Sequence, residues 1–239
     1  SLERSLQSLR QSCDRAVIPI ELPIGEEKAF KGVVDLISRK AFVFQTDESG
    51  KWSEAPVPPE MAAAVDAARE ALIEMVAEAD EKLLEKFFEA GTLSDADLVA
   101  GLHAATAAGK LFPLVCTSST VNIGVPQLLD AILAYAPSPA ERPYMGLDRN
   151  GAQVARAADD KAPAEAFVWK TIADPFAGRI TMFRVVSGVL KSDSMVYNKT
   201  KDVPERLGHL ELLQGKTQAA VPEIRAGDLG AVAKLKDTL

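Results

Sequence analysis

Six glutamates, Glu70, Glu74, Glu78, Glu81, Glu85 and Glu89, follow one another at spacings of three and four residues. On one continuous helix that spacing sets them along a single face. Closely spaced carboxylates can serve acid/base catalysis or hold a cation. With no histidine among them, a solvated face is the simpler expectation. Gly215-Lys216-Thr217 carries the tail of the phosphate-cradling pattern G-x-x-x-x-G-K-[ST], whose backbone amides wrap phosphates. The earlier glycine position holds Leu210, so the match is expected to be a turn. Asn198-Lys199-Thr200-Lys201 has the outline of N-K-x-D, in which the aspartate reads a guanine base, but Lys201 stands in its place. Asp47-Glu48-Ser49-Gly50 and Asp148-Arg149-Asn150-Gly151 fit D-x-x-G, yet neither follows a strand after a phosphate loop; both read as turns. Phosphoryl transfer depends on positioning and electrostatic clamps. Lacking them, this chain alone is expected to be inactive, with no catalytic residue. Cys13, Cys116, His103 and His209 are too few and too scattered for a metal site or a disulfide framework.

These residues must be positioned by a chain of 239 residues, 47% apolar, with a net charge of −7. That length can bury one large core or two smaller ones. The negative charge argues against a chain that wraps nucleic acid throughout, though not against a local basic patch. From Phe167 to Leu239 lysine and arginine outnumber the acids, whereas the middle of the chain is acidic. Without a long apolar run, a signal peptide or a lipidation motif, a soluble cytoplasmic protein without membrane contact is expected.

Leu2, Leu6, Leu9 and Cys13 fall on one face at helical spacing. Val17 to Pro23 reads as a strand, which Pro19 restricts to an edge or an end. Gly32–Leu36 and Lys40–Phe44 read as further strands, with a turn at Asp47–Gly50 before Trp52. A long helical region runs from Glu60 to about Ala90, its apolar stripe formed by Val65, Ala68, Leu72, Met75, Ala79, Leu83 and Phe87. Asp80-Glu81 can break it in two, a point the periodicity leaves open. Ser94 caps the next helix and Gly109 ends it. Leu111–Cys116 reads as a buried strand, and Gly124-Val125-Pro126 opens a helix with Leu128, Leu129, Ile132 and Tyr135 on its apolar side. Pro137, Pro139 and Pro143 then form a stiff linker. Beyond it, from Ala166 to Leu239, short runs of Val, Ile, Phe and Met alternate with turns at Asp174–Gly178, Ser187–Gly188, Lys191–Asp193 and Gly227–Asp228. That rhythm suggests a closed barrel or sandwich.

The stretch AFVWKTIADPFAGRITMFRVVSGVLKSDSMVYN, then PERLGHLELLQGK and IRAGDLGAVAKLKDTL, resembles the second domain of translational GTPases, above all bacterial elongation factor G. VIPIELPIGEEKAFKGVVDLISRKAFVF resembles the segment that follows the guanine-recognition motif in that family's G domain. The helical region to Gly109 is similar to the insertion subdomain of that G domain, and Leu111–Ser119 to its last strand and loop. The resemblance runs collinearly over nearly the whole chain. It implies a partial α/β G domain (1–136) with an insertion at about 26–110, a linker (137–143), and an antiparallel domain II barrel (144–239) incomplete at its end. The opening inside a helix and the stop at Lys236–Leu239 are then expected of an internal piece.

The resemblance also implies roles. Thr117-Ser118-Ser119 matches the family's guanine loop, usually Gly-Ser-Ala, in which the amide after the serine donates to the guanine carbonyl oxygen. Ser118 is then the motif serine and Ser119 supplies the amide; Thr117 and Ser119 depart from the family pattern. GTP or GDP and Mg²⁺ belong to the intact parent, and no cofactor is expected on this chain. The insertion subdomain implies docking of the ribosomal stalk protein on Glu70, Glu74, Glu78, Glu81 and Glu85, an acidic face that would steer its partner. Domain II implies contact with small-subunit ribosomal RNA, with Arg179, Lys191, Lys199, Lys201 and Arg206 facing phosphates; Lys170 and Arg184 share that surface charge. The expected function is that of a monomeric, ribosome-bound GTPase driving translocation. A paralogue in recycling, ribosomal protection or release-factor recycling stays open, as does a stand-alone ribosome-binding module without nucleotide chemistry.

Overall fold

The computed structural model describes residues 1–12, 16–45, 47–148, 150–175 and 178–238. Cys13, Arg149, Phe176, Ala177 and Leu239, which figured in the sequence patterns, lie outside the described residues. The chain divides into two compact units, Ser1–Pro137 and Ser138–Leu239. Among the described residues no helix is long and apolar enough to cross a membrane.

The first unit opens with α1 (Leu2–Ser12), which buries Leu6. The single strand expected over Val17–Pro23 is two strands, β1 (Ala16–Pro19) and β2 (Glu21–Ile24). Pro19 has no N–H to continue a ladder, and at Ile20 the chain leaves one sheet for another. β1 pairs in parallel with β6 (Leu111–Leu114), Val17 opposite Phe112. β2 instead starts an antiparallel sheet with β3 (Gly32–Asp35), β4 (Lys40–Phe44) and β5 (Trp52–Ala55).

Three helices complete this unit's core. α2 (Ala62–Glu78) and α3 (Glu81–Ala90) are separate, because Asp80 adopts an extended conformation and its carboxylate accepts from the amides of Lys82 and Leu83. That is a standard N-cap. α4 (Asp95–Ala107) begins at Ser94, whose hydroxyl accepts from the Asp97 amide. The buried face of α2 is wider than the expected stripe. Ile73, Val76 and Ala77 are buried as well as Val65 and Leu72, because β-strands and α4 both pack on it. Gly101 lets α4 come close: a Cβ there has no room beside Leu83 and Val76. Leu72, Leu98 and Leu102 are completely buried, and truncating any one to alanine should cost about 2–5 kcal/mol.

β6 is not the buried strand its composition suggested. Only Leu111 is fully buried, since a two-stranded sheet covers it incompletely. α5 (Val125–Tyr135) likewise departs from expectation: Tyr135 and Ala131 pack on the core, but Leu129, Ile132 and Leu133 are exposed.

The second unit is built of strands. A hairpin joins β7 (Tyr144–Leu147) and β8 (Gln153–Arg156). β9 (Glu165–Asp174) and β10 (Gly178–Ser187) are long and antiparallel, with register shifts at Met182/Phe183 and Val185/Ser187 that bend the ladder. Then come β11 (Val189–Lys191), β12 (Met195–Asn198), β13 (Val203–Arg206), β14 (Leu210–Gln214), β15 (Thr217–Val221), β16 (Glu223–Arg225) and β17 (Leu229–Ala233). The main sheet runs β15-β14-β17-β10-β9; β11 pairs with β16 and β12 with β13. Phe183, Val185, Leu190, Leu207, Leu210, Ile224, Val232 and Leu235 meet in one core, so the strands enclose a shared interior as a small barrel must. Gly215-Lys216 forms the turn between β14 and β15, and Lys199 to Asp202 the turn between β12 and β13. Neither resembles a phosphate cradle.

Candidate functional site

The loop from β6 to α5 carries the candidate base-reading residues. Cys116 leaves the strand, and Ser118 and Ile123 exchange two main-chain hydrogen bonds of 2.9 and 3.1 Å that close the loop on itself. The Ser118 hydroxyl lies 3.3 Å from that of Thr120. Gly124 takes φ +73° as the N-cap of α5, where a Cβ would collide with the Cys116 carbonyl oxygen. Only glycine fits there without strain. Thr117 and Ser119 are exposed and Ser118 is half-buried. The three residues are thus held at a helix entry, with two of them turned to solvent.

Beneath this loop lies a cluster of acids that the sequence reading overlooked. Glu21 of β2 is 3% exposed, and its Oε2 accepts the Cys116 N–H at 3.1 Å. Burial pushes the Glu21 carboxyl up, the Cys116 amide pulls it back and Asp35, opposite it on β3, raises it again, for a net value of about 7. Burial, with the charge of Glu21 added, pushes the Cys116 thiol up to about 12. Burial, then Asp35 and Glu21, takes the Tyr135 phenol to about 12. A thiol held protonated in this way is a poor nucleophile. What the loop can offer a ligand is therefore hydrogen bonding, from its backbone and from the exposed hydroxyls of Thr117 and Ser119. The signal for Glu21 was present in the sequence: it is the one charge inside the apolar run VIPIELPI.

The six glutamates do not share one face. The break at Asp80 puts Glu70, Glu74 and Glu78 on α2, and Glu81, Glu85 and Glu89 on α3. All six are exposed, so they form two short acidic ladders on two helix axes. Among the described residues no group of three or more His, Cys, Asp or Glu could hold a metal. Arg69 was not singled out beforehand. Its guanidinium donates to the Leu36 and Ile37 carbonyls and to Asp95, binding the turn after β3 to the start of α4.

The basic residues of the second unit separate into two kinds. Arg179 is half-buried, and its Nη2 donates to the Leu235 and Lys236 carbonyls. It therefore holds the segment after β17, a structural task that the sequence reading, which gave it an RNA-facing role, did not include. Lys191, Lys199, Lys201 and Arg206 are exposed. Arg206 lies 3.5 Å from Asp193, an exposed pair that restrains it little. Lys199 and Lys201 sit at the tip of the β12–β13 hairpin, whose strand β12 exposes Met195 and Tyr197. Nearby, Glu205 of β13 is buried and receives the amides of Lys236 and Asp237 and the Thr238 hydroxyl. Asn198, the first residue of the N-K-x-D look-alike, donates to Thr238 and accepts from the Lys201 amide, so its side chain is structural.

Comparison with known proteins agrees with this architecture. Residues 163–239 match the family model of elongation factor G domain 2. The whole chain is similar to a protein of Thermus thermophilus solved by crystallography, at 31% sequence identity and a TM-score of 0.77, over 99% of this chain. The chain spans about a third (32%) of the length of that solved relative. The second unit thus carries an elongation factor G domain 2, and nearly the whole chain shares its fold with the Thermus thermophilus protein.

Proposed function

We propose that this chain is part of a translational GTPase of the elongation factor G kind, which uses GTP and Mg²⁺ on the ribosome to drive translocation. The supporting observation is the pairing, in one chain, of an elongation factor G domain 2 with an α/β unit whose β6–α5 loop exposes Ser119 at a helix entry. In this reading the Ser119 amide donates to the guanine carbonyl oxygen. Thr117 and Ser118 shape the loop, and the phosphates and Mg²⁺ are held by other parts of the protein. The acidic ladders of α2 and α3 steer the stalk protein. Lys191, Lys199, Lys201 and Arg206 contact phosphates of small-subunit RNA. The protein works as a cytoplasmic monomer.

Each phosphate contact releases counterions, so binding through these side chains must weaken with salt. The test is co-sedimentation of the chain with small ribosomal subunits at two salt concentrations. Changing Lys191, Lys199, Lys201 and Arg206 together to glutamate should reduce binding at least about tenfold and flatten its salt dependence. Unchanged binding by that variant would remove these residues from the RNA interface.

A further inference from the structure

The function proposed above gives the buried carboxyl of Glu21 no task, although burying an acid is costly without partners. Among the described residues, the hydrogen bond its side chain receives from a neighbouring element comes from Cys116, the last residue before Thr117, over 3.1 Å. The Cys116 thiol also faces the Glu21 carbonyl oxygen, at 3.9 Å. On the other side, the Cys116 carbonyl is backed by Gly124 so closely that no Cβ fits. Two residues on, Ser118 is locked to Ile123 by its N–H and its carbonyl. Cys116 and Ser118 are therefore fixed main-chain points, and Ser119 follows directly from the second of them.

We propose that Glu21 is the positioning residue of the base loop: anchored on β2, its carboxylate fixes the Cys116 amide and through it the direction in which Ser119 presents its N–H to a purine carbonyl oxygen. This rests on reading Thr117–Ser119 as a base loop. Glu21 touches no ligand in this scheme; it acts through the backbone it holds. The groups facing it are the Asp35 carboxylate from β3, the Cys116 thiol at the end of β6 and the Tyr135 phenol from α5. None of the three is a cation, and with a carboxyl value of about 7 the bond should weaken as the acid gains its proton near neutrality.

The test uses two readouts. In the first, amide hydrogen exchange and amide chemical shifts are followed by NMR on this chain. Glu21→Ala should raise exchange at Cys116 and Ser119 about tenfold relative to wild type while amides of the β3–β4 ladder change less than about twofold. Glu21→Gln keeps an acceptor oxygen of the same reach and should restore protection to within about threefold. The wild-type Cys116 amide shift should titrate near pH 7, and that titration should vanish in Glu21→Gln. If Glu21→Ala does not fold, the Glu21→Gln titration decides alone. Unchanged exchange in Glu21→Ala, or the same titration in Glu21→Gln, overturns the proposal.

In the second readout, release of a fluorescent GDP is measured from the intact protein that contains this chain. Glu21→Ala should release it about tenfold faster and Glu21→Gln at nearly the wild-type rate. Equal release from Glu21→Ala and wild type overturns the positioning role. No GDP binding by the wild-type intact protein instead overturns the base-loop reading, and the exchange experiment then still decides whether Glu21 sets the loop.

Discussion

Replacing Glu205 by glutamine should destabilise the second unit and remove part of its acid sensitivity. The buried carboxylate accepts two main-chain amides at 2.6 and 2.7 Å, from Lys236 and Asp237, and the Thr238 hydroxyl at 2.5 Å. Burial acts to raise its pKa, but the bonds from Thr238, Asp237 and Lys236 together outweigh burial and hold it below the ordinary carboxylate value. A depressed folded-state pKa gives stability that is complete above the unfolded value and is lost as pH falls through the folded one. The window therefore opens below the ordinary value of 4.5. Bonds to a charged acceptor contribute about 1.5–3 kcal/mol each, and an amide left unpaired costs about 1–3 kcal/mol. Glutamine turns its NH₂ towards at least one donor, so about 2–3 kcal/mol should be lost at pH 7. For a unit of this size that lowers the melting temperature by roughly 10–20 °C. Differential scanning calorimetry at pH 7 and pH 3.5 measures it. The gap between variant and wild type should shrink at the lower pH. A variant within about 0.5 kcal/mol of wild type at pH 7, or a gap independent of pH, would refute the reasoning.

Calorimetry on the chain alone should detect no guanine-nucleotide binding tighter than about 1 mM, because a single base-facing amide supplies little of the required energy. Changing Glu74, Glu78 and Glu85 to lysine should slow association with the ribosomal stalk protein in stopped flow, most at low salt and little above about 0.15 M, with the fold intact. Glu81 is left unchanged because it is the first residue of α3, where a positive charge would oppose the helix dipole. Arg69→Ala should cost the first unit about 2–4 kcal/mol in urea unfolding, since the Leu36 and Ile37 carbonyls and Asp95 lose their shared donor.

Local chemistry made much of the fold legible. The barrel's turns announce themselves through Gly188, Gly215 and Gly227, all at positive φ, and its alternating Val, Ile and Phe supply the inward faces. Asp80 and Ser94 mark helix starts by their side chains, and both serve as N-caps. What resisted reading depends on contacts distant in sequence. The wide buried face of α2 comes from packing against strands and another helix. Periodicity gave α5 an apolar side but could not say that Leu129, Ile132 and Leu133 would stay exposed. At the candidate site, the residue types of Thr117–Ser119 are visible in the chain, but the Glu21–Cys116 bond joins positions 95 apart. The hydrogen bonds of Arg179 were hidden for the same reason. A cation on a strand looks like surface charge until the segment 235–236 folds back to accept its hydrogens.

The most direct measurement of the central claim is GTP hydrolysis by the intact protein containing this chain, with and without ribosomes. The account predicts guanine-specific hydrolysis that ribosomes accelerate by at least about tenfold, an effect of roughly 1.4 kcal/mol or more on the barrier. Hydrolysis indifferent to ribosomes, or no turnover of GTP in their presence, would contradict it.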